Sequence, residues 1–237
     1  IQMENNTMFS HQAQWEQDRL GKITASKIGE IMKSGKSKDE YFGKMALSYL
    51  DEKVSEIITG LPCKDLSGMN AIEWGFSHEN EAIQAFEEKL GHTVEYYGAA
   101  NPKFFPYNSF SGGSPDGIIH THVLEVKCPY NSAIHVRNLI AYKKNEDNAW
   151  MKKNREDYYY QIQFNMLCTG KDKAFFISYD PRPTNPDNRL ATIEITADLA
   201  LFDEFKERIE KAGEIIKDAI GLLFNEPSLM IASHDPE

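Results

Sequence analysis

A carboxylate and an ammonium group stand two residues apart in the segment Leu124-Glu125-Val-Lys127. The alternation of apolar and polar residues over Val123–Cys128 predicts a strand, on which residues two apart project from the same face. Glu125 and Lys127 would then lie side by side, about 7 Å apart at their Cα atoms, opposite an apolar face. Pro129 is expected to end this strand.

A second carboxylate, Asp116, lies in the turn Ser114-Pro-Asp-Gly, just ahead of the strand-like run Gly117-Ile-Ile-His. A hairpin between this run and Val123–Lys127 would bring Asp116 beside Glu125. Two converging carboxylates can hold a hard cation such as Mg²⁺, and a neighbouring lysine can position water and offset charge during phosphodiester hydrolysis. Each motif alone is commonly a solvated pair or a routine turn, but their ordered combination favours a nuclease centre.

Further polar residues could complete such a centre. Glu79, at the start of a predicted helix, is a candidate metal ligand, although the helix dipole also favours an acidic residue there. It lies one turn before Ile83, at the edge of the buried face, whereas Glu81 points to another side. Gln161 shares a helix face with Tyr158, three residues earlier, and could equally well satisfy buried backbone groups.

Arg19 and Ser26 flank the first predicted helix junction. They could bind a phosphate through a bidentate guanidinium and a helix N-terminus. Residues of these types are also common on surfaces and at helix caps, so this interpretation depends on what lies around them.

The elements that would position these residues follow from periodicity and turn chemistry. The expected helices are a pair within Trp15–Met32 that restarts near Thr24, then Tyr41–Ile58, Ala71–Leu90 with Gly91 as its stop, Tyr158–Cys168 and Asp198–Leu223. The expected strands are Thr93–Ala99, Val123–Cys128, Ala174–Tyr179 and Leu190–Ile195. Ser34–Asp39, Asn108–Asp116, Lys143–Asn154 and Pro181–Asn188 read as loops or turns, Lys143–Asn154 alternatively as a helix end. This order predicts one α/β domain with a mixed central sheet.

Composition narrows the class of protein. The chain has 237 residues, 41% of them hydrophobic, and a net charge of −10. That charge opposes a general DNA coat protein, but an enzyme that gathers carboxylates around metal ions can be acidic overall. No apolar run approaches the roughly 20 residues that span a bilayer, and the N-terminus lacks a signal-peptide pattern. Cys63, Cys128 and Cys168 are too widely spaced for a disulfide framework or a metal clip, which favours a cytosolic compartment.

The domain boundaries are predicted from the same patterns. We expect residues 1–14 to be an N-terminal extension, partly flexible or derived from cloning, with Met3 as a native start. Residues 15–225 would form a single domain and residues 226–237 a C-terminal tail.

Five segments, in register, resemble the YqaJ-like viral recombinase family, which is the phage lambda exonuclease family of the PD-(D/E)XK nuclease superfamily. They are Arg19-Leu-Gly-Lys-Ile-Thr-Ala-Ser26, Trp74-Gly-x-x-x-Glu79-Asn, Ser114-Pro-Asp116-Gly, Leu124-Glu125-Val-Lys127-Cys-Pro and Gln161-Ile-Gln163. The similarity runs from about Trp15 to the C-terminal helix. Each segment is weak alone, but five in order are specific. The resemblance implies a restriction-endonuclease-like (PD-(D/E)XK) α/β core, in which helices flank a mixed central sheet.

The resemblance also implies an activity. It is a Mg²⁺-dependent exonuclease, in which Mn²⁺ can substitute, that digests one strand of linear double-stranded DNA from its 5′ end. The product is a 3′ single strand for a single-strand annealing recombinase protein. A homotrimeric ring and a phage- or prophage-encoded protein in the bacterial cytoplasm are implied by the same analogy.

Residue roles follow from the matched positions. The implied metal ligands are Asp116, Glu125, the carbonyl of Val126 and, nearby, Glu79. Lys127 would serve the nucleophilic water and Gln161 would orient the site. The residues implied for the 5′-phosphate and the DNA strand are Arg19, Ser26, Ser114 and Tyr158. Two departures, His78 in place of an aromatic phenol and the charged segment Lys143–Arg155, leave end preference and processivity open.

Two alternatives stay open. An endonuclease or junction resolvase would use the same Asp116, Glu125 and Lys127 with a different phosphate pocket and assembly. A non-catalytic DNA-end-binding module is an alternative of another class. Such modules usually lose a carboxylate or the lysine, and this chain retains all three.

Overall fold

The computed structural model describes residues 2–37, 40–63, 69–98 and 101–224. The helices are α1 (Gln2–Arg19), α2 (Ile28–Ile31), α3 (Lys44–Thr59), α4 (Met69–Leu90), α5 (Ser132–Lys143), α6 (Asn148–Asn154), α7 (Glu156–Thr169) and α8 (Leu199–Phe224). The strands are β1 (Ile23–Thr24), β2 (Glu95–Tyr96), β3 (Phe105–Asn108), β4 (Ser111–Gly113), β5 (Gly117–Ile118), β6 (His122–Lys127), β7 (Lys173–Tyr179) and β8 (Leu190–Thr196). Within these ranges, no helix combines the length and apolar character needed to cross a lipid bilayer.

The strands form two mixed sheets. The larger has the order β2-β5-β6-β7-β8, in which β6 and β7 are parallel and the other neighbours antiparallel. The smaller has the order β1-β4-β3, with β1 parallel to β4. Helices cover the sheets, so the predicted α/β class, with a mixed central sheet flanked by helices, is confirmed.

Strand β6 lies at the centre of the larger sheet and is covered on both faces. Leu124 packs with Phe86 of α4 in one apolar cluster, whereas Val123 packs with Ile162 of α7 in the other. A central strand between two layers of helices has no solvent-facing side. Glu125, which was expected on a polar face, is accordingly fully buried.

The prediction of a turn over Asn108–Asp116 is wrong for Ser111–Gly113. These three residues form β4, the central strand of the smaller sheet. The glycines there permit close packing and do not form a turn. A Cβ atom on Gly113 would come within 2.3 Å of Oδ1 of Asn165, which lies on α7. The sequence pattern of small residues therefore marks a tightly packed strand.

The first helix pair also differs from the prediction. Between α1 and the four-residue α2, the chain forms β1 and a 3₁₀ turn, Ala25–Lys27. The side chain of Thr24 makes no capping hydrogen bond. The second helix of the predicted pair is therefore present but short: Ala25–Lys27 is a 3₁₀ turn and only Ile28–Ile31 is α-helical, because Ile23 and Thr24 are paired with β4. Ser26 thus lies in the 3₁₀ turn and not at the N-terminus of a long helix.

The remaining differences concern polar segments. The segment Lys143–Asn154 contains α6, whose first turn is capped by Asp147 through the backbone N–H of Ala149 at 2.9 Å. Helix α5 has no counterpart among the predicted elements. Gly91 ends α4 with a φ of 67°, as predicted. Residues 38–39 of the predicted loop, residue 99 of a predicted strand and the tail 226–237 lie outside the described residues.

Candidate active site

The hairpin of β5 and β6 fixes Asp116 against the strand that carries Glu125. Gly117 pairs with Leu124, and the backbone N–H of Asp116 donates to the carbonyl of Leu124 at 3.1 Å. The carboxylate of Asp116 accepts a hydrogen bond from the backbone N–H of Val126 at 2.6 Å. The predicted hairpin is therefore present and holds one oxygen of Asp116 in place.

Glu125 and Lys127 form a buried ion pair with one accessible end. Lys127 Nζ donates to Oε1 of Glu125, and the amide of Asn165 donates to Oε2 at 3.1 Å. The carboxylate has no exposed surface, whereas the lysine side chain is 25% exposed. Lys127 Nζ also lies 5.3 Å from the ring centroid of Tyr158. Lys127 is therefore the member of the pair whose side chain has surface open to solvent.

Glu79 faces the same region from α4. It lies in the middle of this helix, not at its start as expected, so the helix dipole does not explain an acidic residue here. The phenol of Tyr96 donates to Oε1 of Glu79 at 2.9 Å. Glu81 contacts Tyr179 instead, at 3.4 Å, in agreement with the prediction that the two glutamates point to different sides.

The electrostatics of the cluster show a surplus of negative charge. Burial, together with the nearby Asp116, raises the pKa of Glu79 to about 7. Burial also raises the pKa of Asp116 and that of Glu125, against the opposing effect of Lys127. Burial would lower the pKa of Lys127, but Glu125 and Asp116 outweigh it and raise this pKa. One ammonium group thus faces three carboxyl groups, an arrangement that a divalent cation would stabilise.

The oxygen ligands of this acidic cluster suit a hard cation, although the carboxylates of Glu79 and Glu125 are hydrogen-bonded to other side chains. In the part of the chain that the structure describes, no three His, Cys, Asp or Glu side chains converge on one point where a metal ion could bind. Glu125 is turned to Lys127 and Asn165, and Glu79 to Tyr96. Carboxylate and backbone carbonyl oxygens are nonetheless the ligands that Mg²⁺ prefers. The residues fit Mg²⁺ by their chemistry and by their uncompensated charge.

A cavity of about 430 Å³ joins Asp116 to the predicted phosphate-binding residues. Its polar lining includes Arg19, Ser26, Ser114, Asp116 and Gln161. The hydroxyl of Ser114 accepts hydrogen bonds from Trp15 Nε1 at 2.9 Å and from the Arg19 guanidinium at 3.2 Å. That guanidinium also stacks on the indole ring, 4.2 Å from its centroid. These side chains, which are far apart in the sequence, therefore line a single cavity.

A second cavity, of about 530 Å³, adjoins the other side of the cluster. Lys127, Val126, Tyr158 and Glu79 line it, and Glu79 borders both cavities. Tyr158, which was grouped with the phosphate-binding residues, lies beside Lys127 and not beside Arg19. The acidic cluster therefore stands between two open spaces.

Sequence reasoning missed Asn165, although a signal for it exists. Asn165 follows Tyr158 by seven residues and Gln161 by four, so the three share one face of α7. Gln163, on another face, is fully buried, donates to the carbonyl of Thr196 and accepts from the backbone N–H of Asp198, both at 2.8 Å. Gln163 thus satisfies backbone groups, whereas Asn165 supports Glu125.

Comparison with known proteins adds independent findings. The model of the YqaJ-like viral recombinase domain matches residues 14–172. The structure of an alkaline exonuclease (LHK-Exo) from Laribacter hongkongensis is 25% identical, with a TM-score of 0.71, over 89% of this chain and 95% of that chain. LHK-Exo in complex with dAMP is 26% identical, with a TM-score of 0.72 and the same coverage. A phage-related exonuclease from Haemophilus somnus 129PT, 19% identical with a TM-score of 0.66 over 85% of this chain and 96% of that chain, supports the fold alone. None of the curated proteins compared with the chain matches it.

Proposed function

Because the chain belongs to the YqaJ-like viral recombinase family and is therefore a nuclease, we propose that it is a metal-dependent 5′-to-3′ exonuclease. Its substrate would be linear double-stranded DNA, and its product a 3′ single strand for annealing recombination. The observation that carries the proposal is the cavity shared by Arg19, Ser26, Ser114 and Asp116. A terminal phosphate bound at one end of this cavity would place the next phosphodiester near the carboxylates.

The acidic cluster would hold the metal ion. Asp116, Glu125 and the carbonyl of Val126 would ligate Mg²⁺, or Mn²⁺ in its place, with Glu79 as a nearby acidic ligand. The ion supplies Lewis-acid stabilisation of the charge that develops on the phosphate oxygens. The hydrogen bond from Val126 N–H to Asp116 would keep one carboxylate oxygen in a fixed position for this task.

Lys127 and Gln161 would act on the reacting groups. The Nζ of Lys127 is charged and oriented by Glu125, and the Lys127 side chain is partly exposed, so the ammonium group would donate to the attacking water and to a phosphoryl oxygen. Gln161 borders the cavity beside Asp116 and can orient water or phosphate through its amide. Asn165 would keep the Glu125 carboxylate from rotating away.

The 5′ end would be recognised by Arg19, Ser26 and Ser114. A guanidinium presents a planar pair of donors that matches a phosphate. Ser114 Oγ already accepts from Trp15 and Arg19, and its own O–H, which has no acceptor within the described part of the chain, would donate to the substrate. Tyr158, near Lys127, would contact the DNA strand in the second cavity.

The family also supports proposals about assembly. These are a homotrimeric ring around DNA, a single-strand annealing recombinase protein as partner, and action in the cytoplasm of a bacterial host. Sizing in solution by light scattering tests the first, with a trimer expected and a monomer at all working concentrations as the contrary result.

The activity is tested by incubating 5′-phosphorylated linear duplex and covalently closed circles with Mg²⁺. We expect label at the 5′ end of the linear duplex to be released first and the circles to survive. Cutting of circles at a similar rate would favour the endonuclease alternative, and binding without digestion the non-catalytic module. Arg19→Ala should remove the preference for phosphorylated over 5′-hydroxyl ends, whereas the exposed Arg137→Ala should retain it.

A further inference from the structure

Helix α3 holds the turn that connects Arg19 to Ser26. At one end of this turn, Gly21 N–H donates to Oε2 of Glu56 at 2.9 Å. At the other end, Thr24 N–H donates to the phenol oxygen of Tyr49 at 3.1 Å. Tyr49 and Glu56 are seven residues apart, two helical turns, and therefore project from one face of α3. One rigid helix thus sets both ends of the turn.

The turn requires glycine at position 21. Gly21 has a φ of 68°, in the left-handed region that side chains disfavour. A Cβ atom there would come within 2.5 Å of Cγ1 of Ile57 on α3. The backbone is therefore pressed against the helix at the point where Glu56 binds it.

Glu56 is a buried carboxylate with three hydrogen-bond donors among the residues that the structure describes. It is 5% exposed and accepts hydrogen bonds from Gly21 N–H, from Cys63 N–H at 3.2 Å and from Lys53 Nζ at 2.8 Å. Lys53, itself 7% exposed, also lies 5.0 Å from the ring centroid of Tyr49. Buried ion pairs of this kind contribute little net stability compared with apolar residues, so their best-supported use is to specify one local geometry.

The geometry of the Gly21 turn bears on Arg19, which lies just before it in the chain. Arg19, Ser26, Tyr49, Lys53 and Glu56 line a common cavity of about 470 Å³, and Arg19 and Ser26 also line the cavity that contains Ser114. Burial lowers the pKa of Arg19, and the nearby Tyr49 and Glu56 oppose this effect. None of the hydrogen bonds of Glu56 or Lys53 reaches Asp116, Glu125 or Lys127.

We infer that Glu56, supported by Lys53 and Tyr49, is a positioning residue for recognition of the terminal phosphate. It acts through the Gly21 turn on Arg19 and does not touch the DNA. The inference rests on the proposed function, because it assigns the specificity of that same site. Loss of Glu56 should therefore impair discrimination between 5′-phosphate and 5′-hydroxyl ends more than it impairs hydrolysis.

The test compares kcat and KM on linear duplexes that differ only in the 5′ group. We expect Glu56→Ala to lower the ratio of kcat/KM values, phosphate over hydroxyl, about tenfold, as for a lost charge-assisted contact. The loss should appear in KM for the phosphorylated duplex. The paired change Lys53→Met with Glu56→Gln keeps an acceptor for Gly21 N–H without a buried charge and should restore most of the ratio. Tyr49→Phe, which removes the acceptor at the other end of the turn, should lower the ratio about threefold and should fold readily, since the ring remains.

Glu52→Ala is the matched control, because Glu52 is exposed, lies one turn earlier on α3 and borders the same cavity. It should keep the wild-type ratio. The inference is overturned if folded Glu56→Ala and Tyr49→Phe keep that ratio, or if both lose activity equally on the two ends. A wild-type protein that ignores the 5′ group, or does not digest linear duplex, would instead overturn the proposed function itself.

Discussion

Asp180 and Arg182 form a clamp that ties the end of β7 to the chain just after β6. Asp180 is fully buried and accepts hydrogen bonds from the Arg182 guanidinium at 2.7 and 3.0 Å and from the hydroxyl of Ser132 at 2.8 Å. Arg182 also donates to the carbonyls of Tyr130 at 3.0 Å and Pro129 at 3.1 Å. We predict that Asp180→Asn destabilises the protein by releasing this clamp.

The magnitude follows from the pKa of Asp180. Burial would raise it, but the hydrogen bonds from Arg182 and Ser132 outweigh burial and lower it from 3.8 to about 2. At about 1.36 kcal/mol per pKa unit, that shift corresponds to at most about 2.4 kcal/mol. The Arg182 side chain is 40% exposed, so solvent screening reduces the contribution. We therefore expect a loss of about 1 to 2 kcal/mol in the free energy of unfolding at pH 7.

The pH dependence has a definite sign. The pKa of Asp180 is lower in the folded state than the unfolded value of about 3.9, so the unfolded state binds the proton more readily. The stabilisation is fully present above pH 4 to 5 and is lost as the pH falls through about 2. The difference between wild type and Asp180→Asn should accordingly be largest near neutral pH and shrink below pH 4.

Urea unfolding, followed by circular dichroism at pH 7 and at pH 3, measures both effects. Asp203→Asn is the matched control, because the Asp203 side chain is 78% exposed and its change should cost less than about 0.5 kcal/mol. A loss at pH 7 that equals the control, or a loss that is the same at both pH values, would refute the clamp as a source of stability.

Three further predictions concern the candidate active site. Lys127→Ala should lower the rate of digestion by about 10³-fold while binding of linear duplex, measured by fluorescence anisotropy, is retained. Asn165→Leu should lower kcat by about 10- to 100-fold, because Glu125 loses a hydrogen-bond donor that fixes it. Removal of divalent ions with EDTA should stop digestion, and Mg²⁺ or Mn²⁺ should restore it. Mg²⁺ should also raise the melting temperature of the wild-type protein and not that of Asp116→Asn.

Each of these has a result that would contradict it. Near-normal digestion by Lys127→Ala or by Asn165→Leu would remove that residue from the assigned site. Digestion that persists in EDTA, after dialysis against the chelator, would exclude a metal-dependent mechanism. An equal rise in melting temperature for wild type and Asp116→Asn would place the Mg²⁺ site elsewhere on the protein.

Strand β6 and the turn that precedes it could be predicted from the sequence because their determinants are local. Asp116 and Glu125 are nine residues apart on a hairpin, and hairpin pairing and strand alternation are properties of neighbouring residues. The periodicity of α4 and α8 and the stop at Gly91 are likewise local. The resemblance to a nuclease family rested on segments of this kind.

Features that depend on contacts between distant segments could not be predicted from the sequence. Glu125 was expected on a polar face, but that face of β6 is covered by α7, whose packing no local pattern specifies. Ser114 meets Trp15 and Arg19 across nearly one hundred residues, and Asn165 meets Glu125 across forty. Hydrophobic periodicity indicates which face of an element is buried, but it does not indicate which other element packs against that face. The sequence alone therefore determined which residues can perform the chemistry, and only the packing of helices against the two sheets determined which of them meet.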